Sequence, residues 1–135
     1  MLSADNAHAV HPHHPQKTDA TNCVYMNEGI VVKSHAGQKY TSDAVSVAVF
    51  KDLCKKANVP VQFFANRSDE AGGSTLGNIA MTQVSMNTVD IGLPQLAMHS
   101  AYETAGVKDM EYMVKAVTEF YASNIRTDSD ENYRI

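Results

Sequence analysis

Two side chains far apart in the sequence have the types and settings to hold a metal. Asp5 follows the short apolar opening Leu2-Ser3-Ala4. His99 lies in Gly92-Leu93-Pro94-Gln95-Leu96-Ala97-Met98-His99-Ser100, just after the apolar run Thr88-Val89-Asp90-Ile91. A carboxylate and an imidazole on neighbouring strands make a half-site for a borderline divalent cation such as zinc. Strand ends are where open α/β sheets gather their sites. The competing reading is structural: Asp5 caps a turn and His99 bonds to backbone, since a polar group leaving a core needs a partner. Residue types alone leave both readings open.

Other groups carry weaker signals. His8, His11, His13 and His14 cluster near the start. Their spacing matches no structural zinc pattern, and no Cys pair accompanies them. Pro12 and Pro15 place His13 and His14 on a surface loop, whereas His8 and His11 leave a strand and are candidates for lining a cleft. Lys33 ends a β-branched run and could bind a carboxylate, or simply be exposed there. The Gly72-Gly73-Ser74-Thr75 loop could hold an anion or a carbonyl on its backbone N–H groups. It lacks the lysine and spacing of a P-loop, and a plain tight turn explains its glycines equally well.

The elements that must position these residues follow from periodicity. A first strand occupies the start of the chain, and a Pro-rich polar loop spans residues 11–28. Gly29 to Lys33 reads as a strand. Residues 43–57 have helical spacing, with Thr41 or Ser42 as N-cap after Tyr40. Pro60 opens a strand over 61–65, and a helix spans 74–85 with Leu76, Ile79, Ala80 and Val84 on its apolar face. A strand spans 88–93. The helix over 105–122 carries Met110, Met113, Val114, Val117, Phe120 and Tyr121, its methionines read as core filling. Strands alternating with helices predict an α/β fold, a layered sheet, parallel or mixed, with flanking helices. Residues 1–123 form the domain, and 124–135 a patternless polar tail.

The totals narrow the functions. The chain has 135 residues, 44% hydrophobic and 19% charged, with a formal net charge of −4. That composition suits one globular domain and offers no basic patch for nucleic acid. No apolar run is long enough to span a membrane. Two unpatterned cysteines, Cys23 and Cys54, predict a reducing compartment, hence the cytoplasm.

Three motifs carry a resemblance. Ser3-Ala4-Asp5-Asn6-Ala7-His8-Ala9-Val10-His11-Pro12, then Arg67-Ser68-Asp69 with Gly73-Ser74-Thr75-Leu76-Gly77, then the Gly92-to-Ser100 segment resemble, in order, the aspartyl aminopeptidase family of cytosolic dinuclear-zinc exopeptidases. The resemblance runs across residues 1 to 122. It implies that Asp5 ligates one zinc and His99 the other, and that Lys33 and Tyr40 line the substrate pocket with Gly73, Ser74 and Met98. His8 and His11 match positions near the site or at subunit contacts. It implies peptide substrates, acidic (Asp or Glu) at the N-terminal residue, and a homo-oligomer. The family's other metal ligands, its bridging Asp and its general base have no counterpart here, so no catalytic residue is assigned. The expectation is the C-terminal portion of a zinc-exopeptidase catalytic domain, inactive alone because two ligands cannot hold two metals. Two other readings stand beside it. One is a non-catalytic metal-binding or subunit-assembly module, and the other a His-rich metal carrier.

Overall fold

The computed structural model describes residues 1–129 and 132–135. The elements are β1 (Leu2–Ala4), β2 (Ala7–His8), β3 (Ile30–Ser34), α1 (Ala44–Lys56), β4 (Val61–Ala65), α2 (Leu76–Met81), β5 (Val89–Gly92), β6 (Pro94–Leu96), β7 (Thr104–Ala105), α3 (Val107–Ala122), β8 (Arg126–Ser129) and β9 (Asn132–Arg134). Four strands form a mixed sheet in the order β1-β5-β3-β4. β1 runs parallel to β5, β3 parallel to β4, and the central β3–β5 pair is antiparallel. The α/β layered architecture predicted from strand–helix alternation is therefore present.

The β1–β5 pairing does not stop at the end of β1. Asp5 N donates to Ile91 O, Ala7 N to Leu93 O and Ala9 N to Gln95 O, each at 2.9 Å. This carries the register into the small β2-β6-β7 sheet. The expected single first strand is thus two short ones, and β6 is a strand that periodicity did not indicate.

Side-chain alternation along β3 separates the two faces. Ile30 and Val32 enter a cluster with Phe50, Cys54, Ile91 and Ala116, beneath α1 and α3. Val31 packs on the other face with Ala7, Val24 and Phe64, against Tyr40. Lys33 shares the parity of Val31, so it belongs to that second face, where the candidate site lies. Burial pushes the Cys54 thiol up from 9.0 to about 12. The folded state then holds that proton while the unfolded chain releases it, so stability is intact below pH 9 and falls between pH 9 and 12. The slope approaches about 1 kcal/mol per pH unit. Urea unfolding at pH 8 and pH 10.5 should show this loss, and Cys54→Ala should flatten it.

Local chemistry shifts several boundaries. The N-cap of α1 is Asp43, not Thr41 or Ser42. Its carboxylate accepts from Ser46 N at 2.7 Å, and Ser46 Oγ accepts from Asp43 N at 3.1 Å, a reciprocal capping box. Thr41 and Ser42 are engaged by Asp90 instead. α2 ends at Met81, four residues short of the predicted end, and Leu76 and Ile79 are exposed. On α3, Met113 packs against the core as expected, but Met110 and Val114 are exposed. Asp109, in the first turn of α3, is fully buried and accepts from Asn27 N at 2.5 Å and Gly29 N at 3.0 Å.

The last residues, predicted to have no pattern, pair as an antiparallel hairpin of β8 and β9. Tyr133 OH accepts from Asn87 Nδ2, and Lys56 Nζ donates to Ile135 O. Asp130 and Glu131, part of the predicted tail, lie outside the described residues. Among the described residues, no helix is long and apolar enough to cross a membrane.

Candidate functional site

Asp5 sits in the bend between β1 and β2, its amide tied to Ile91 O. Its carboxylate is 3.8 Å from Lys33 Nζ. The Asp5 side chain is 56% exposed and that of Lys33 only 2%. A lysine this deeply buried needs partners for its ammonium. Nζ also donates to Asn6 O at 3.4 Å and stands 4.9 Å above the Tyr40 ring, within cation–π range. Burial lowers the Lys33 pKa below its ordinary value, and Asp5 and Asp90 pull partly in the other direction. Tyr40 donates its hydroxyl to Asn66 Oδ1 at 3.2 Å and packs edge-on against His35, with Phe64 beyond. Burial raises the Tyr40 pKa, and the Asp5 and Asp90 charges add to that.

His8 joins this neighbourhood through charge. Desolvation lowers its pKa, the cationic forms of His99 and Lys33 lower it further, and Asp5 opposes them. Asp5, His8, Lys33 and His99 therefore share one electrostatic environment. His11 packs with the loop histidines. Its ring is 5.2 Å from that of His14 and 5.9 Å from that of His13. His8, His11 and His14 line a cleft of about 240 Å³ with Asn66, Arg67 and Glu70. His14 is an exposed loop residue, as the prolines beside it predict, and it also lines this cleft.

His99 occupies the loop between β6 and β7. It is exposed, with a left-handed backbone (φ 69°), and Ala97 is left-handed as well (φ 55°). Met98, half-buried, lies between them. Ser100 N donates to Ala97 O, and His99 N donates to Glu103 Oε1 at 2.6 Å.

The glycine-rich loop is organised around a different glycine from the one singled out. A Cβ on Gly72 would meet His35 Nε2 at 3.0 Å and Asn66 Nδ2 at 2.9 Å, whereas one on Gly73 would meet nothing within 4 Å. Ser74 gives its hydroxyl to Asn78 Oδ1. The loop thus touches the Tyr40 group through Gly72, its neighbours Gly73 and Ser74 being exposed.

Sequence reasoning missed Asp90, Asn66 and Glu103. Asp90 is fully buried. Its Oδ2 accepts from both the amide and the hydroxyl of Thr41, its amide takes Ser42 Oγ, and its Oδ1 has no hydrogen-bond partner among the described residues. An acidic residue in the middle of an apolar run was the available signal, because burying it unpaired is costly. Asn66 and Glu103 lie in polar loops, where sequence gives no such contrast.

Asp5 and His99 suit a zinc ion by donor type, and both side chains open to solvent. They do not complete a site, since among the described residues no group of three or more His, Cys, Asp and Glu could hold a metal. A zinc site takes three or four protein ligands. Each of the two would be one ligand of a set that the described residues do not complete.

Comparison with known proteins adds a family. Residues 1–121 match the family described as aminopeptidase I zinc metalloprotease (M18). A probable M18 family aminopeptidase 2 of Clostridium novyi is 54% identical over 121 residues, which are 90% of this chain and 28% of that relative. A chain in the cryo-EM structure of the Ape4 and Nbr1 complex superposes with a TM-score of 0.87 at 38% identity, over 89% of this chain and 23% of that one. The S. cerevisiae mApe1 dodecamer gives a TM-score of 0.78 at 28% identity, over 90% of this chain and 26% of that one. This chain thus spans little more than a quarter of the length of the curated relative.

Proposed function

Since the chain belongs to the aminopeptidase I zinc metalloprotease (M18) family, we propose that it forms one part of the active centre of a zinc aminopeptidase that removes acidic N-terminal residues from peptides. Asp5 and His99 each hold one ion of a zinc pair, and the remaining ligands and the general base come from polypeptide outside this chain. When bound, zinc would supply Lewis-acid polarisation of the peptide carbonyl and a water of lowered pKa.

The observation that carries the reading is the setting of Lys33. Its ammonium is buried at the end of β3, over the Tyr40 ring, and meets a carboxylate that is itself open to solvent. A fixed, desolvated cation beside a metal-binding carboxylate is suited to receive the side-chain carboxylate of an Asp or Glu substrate. Tyr40, under the ammonium, packs against Phe64, and Asn66 fixes the Tyr40 hydroxyl.

In the complete aminopeptidase, Lys33→Ala should lower the ratio of kcat/KM for acidic over neutral N-terminal residues at least about tenfold, the scale of one charged hydrogen bond. An unchanged ratio would remove Lys33 from specificity. The isolated chain with zinc should release no N-terminal residue.

A non-catalytic assembly role is the second reading, favoured by α3. Val107, Met110, Val114 and Tyr121 recur at intervals of three, four and seven residues along one face and are all exposed. That stripe offers a homo-oligomer an apolar surface to bury. The two free thiols, Cys23 exposed and Cys54 buried, fit a reducing compartment such as the cytoplasm.

A further inference from the structure

His99 is presented by a backbone conformation that does not come without cost. Ala97 and His99 both lie in the left-handed region, at φ 55° and 69°. That region is sparsely occupied by residues with a Cβ, and a loop keeps such conformations only where its surroundings over-determine them. Two hydrogen bonds do so here. Ser100 N donates to Ala97 O at 3.0 Å and closes the turn. His99 N donates to Glu103 Oε1 at 2.6 Å, a short, charge-assisted bond.

The two ends of this second bond differ in how they are fixed. β7 pairs antiparallel with β6, Leu96 opposite Thr104 and Gln95 opposite Ala105. Glu103 precedes that ladder directly, so its backbone position is set by sheet register. His99 sits at the loop tip with no ladder partner. The carboxylate therefore reaches back from an anchored residue to hold an unanchored one.

We propose that Glu103 is a positioning residue: its carboxylate holds the His99 backbone in the left-handed conformation that presents the imidazole for metal binding. The role rests on the reading of His99 as a zinc ligand. Glu103 acts through the amide of residue 99, with its Oε1 already committed to that amide.

The test compares Glu103→Ala and Glu103→Gln with the unaltered protein, using the 135-residue chain for backbone conformation and the complete aminopeptidase for zinc binding. Glutamine keeps a neutral acceptor at the same reach and is a poor metal ligand, so its behaviour separates positioning from direct ligation. Two readouts are taken: by NMR of the chain, the strong intraresidue Hα–HN contact of a left-handed His99, and, in the complete aminopeptidase stripped of metal, the zinc concentration that half-saturates its sites. Glu103→Ala should lose the left-handed signature and raise the half-saturating zinc concentration about tenfold, the scale on which outer-shell partners act. Glu103→Gln should restore the signature and most of the zinc response. If Glu103→Ala keeps the signature, or loses it with no change in zinc response, the role is overturned while the ligand reading stands. If Glu103→Gln fails like Glu103→Ala, the carboxylate does more than accept one bond and the proposal falls. If His99→Ala leaves the zinc affinity of the complete aminopeptidase unchanged, the ligand reading fails, and the positioning role fails with it.

Discussion

Gly92→Ala is expected to unfold the chain or displace Asp5, at a cost of about 3 kcal/mol or more. A Cβ at this position would overlap the carbonyl oxygen of Asp5 and lie 2.9 Å from its carbon and 2.8 Å from Asn6 Cα. All three atoms are backbone, so no flexible side chain can yield. On its other side Gly92 pairs with Val31 of β3, so the strand cannot retreat. Relief requires Asp5 and Asn6 to move away from β5. That movement strains the bonds from Asp5 N to Ile91 O and from Ala7 N to Leu93 O, and draws Asn6 O and the Asp5 carboxylate away from Lys33. Urea unfolding supplies the measurement, with Gly73→Ala as the comparison. The Cβ of Gly73→Ala meets nothing within 4 Å, so its stability should stay within about 0.5 kcal/mol of the unaltered chain. Equal unfolding midpoints for Gly92→Ala and the unaltered chain would refute the close approach as a constraint.

Asp109→Ala should cost about 2–4 kcal/mol. The carboxylate is fully buried and takes the amides of Asn27 and Gly29 on its two oxygens. Asn27 Oδ1 in turn accepts from Lys108 N, so loop and helix start are laced in both directions. The carboxylate also sits at a helix N-terminus, where negative charge is favoured. Alanine leaves the buried Gly29 amide and the part-buried Asn27 amide without acceptors, and that desolvation exceeds the value of the bonds themselves. Asp109→Asn keeps one acceptor oxygen and should lose about half as much. The effect extends to function, because Gly29 leads directly into β3 and Lys33 at its end. Thermal or urea unfolding of the two variants decides the matter; an alanine variant as stable as the asparagine one would contradict this account.

Much of the fold was legible, for reasons that differ by element. α1, β3 and β4 announce themselves by period and by Pro60 and Gly29 at their boundaries. β3 is apolar on both faces until Lys33, as a central strand must be, so the sequence could mark Lys33 as terminal but not its depth of burial. The N-cap of α1 was misassigned because Thr41 and Ser42 have the right chemistry for it and are spent on Asp90. Only the tertiary pairing of β5 with its neighbours reveals that competition. β6 escaped notice because it opens on Pro94, which donates nothing to a ladder and is tolerated at a strand's first residue. α2 was right in type, yet Leu76 and Ile79 face solvent, because periodicity reports a face and not what covers it. In the site, Asp5 and Lys33 were singled out separately and prove to be an ion pair. Glu103 was beyond reach, since an acidic residue in a polar loop gives no hint that it holds a backbone amide four residues away.

The parallel pairing of β1 with β5 has a consequence for how the chain acquires its shape. Leu2 meets Val89, and Met1 N bonds Asn87 O, so this contact joins segments separated by more than eighty residues. Local pieces such as α1 and the adjacent β3–α1–β4 unit can form early, but closing so long a loop carries a large entropy cost before any contact repays it. The order of events therefore runs from the middle outward, with Asp5 arriving last beside Lys33. Until it does, the outer edge of β5 is an unpaired apolar strand, the state in which this polypeptide is most exposed to self-association.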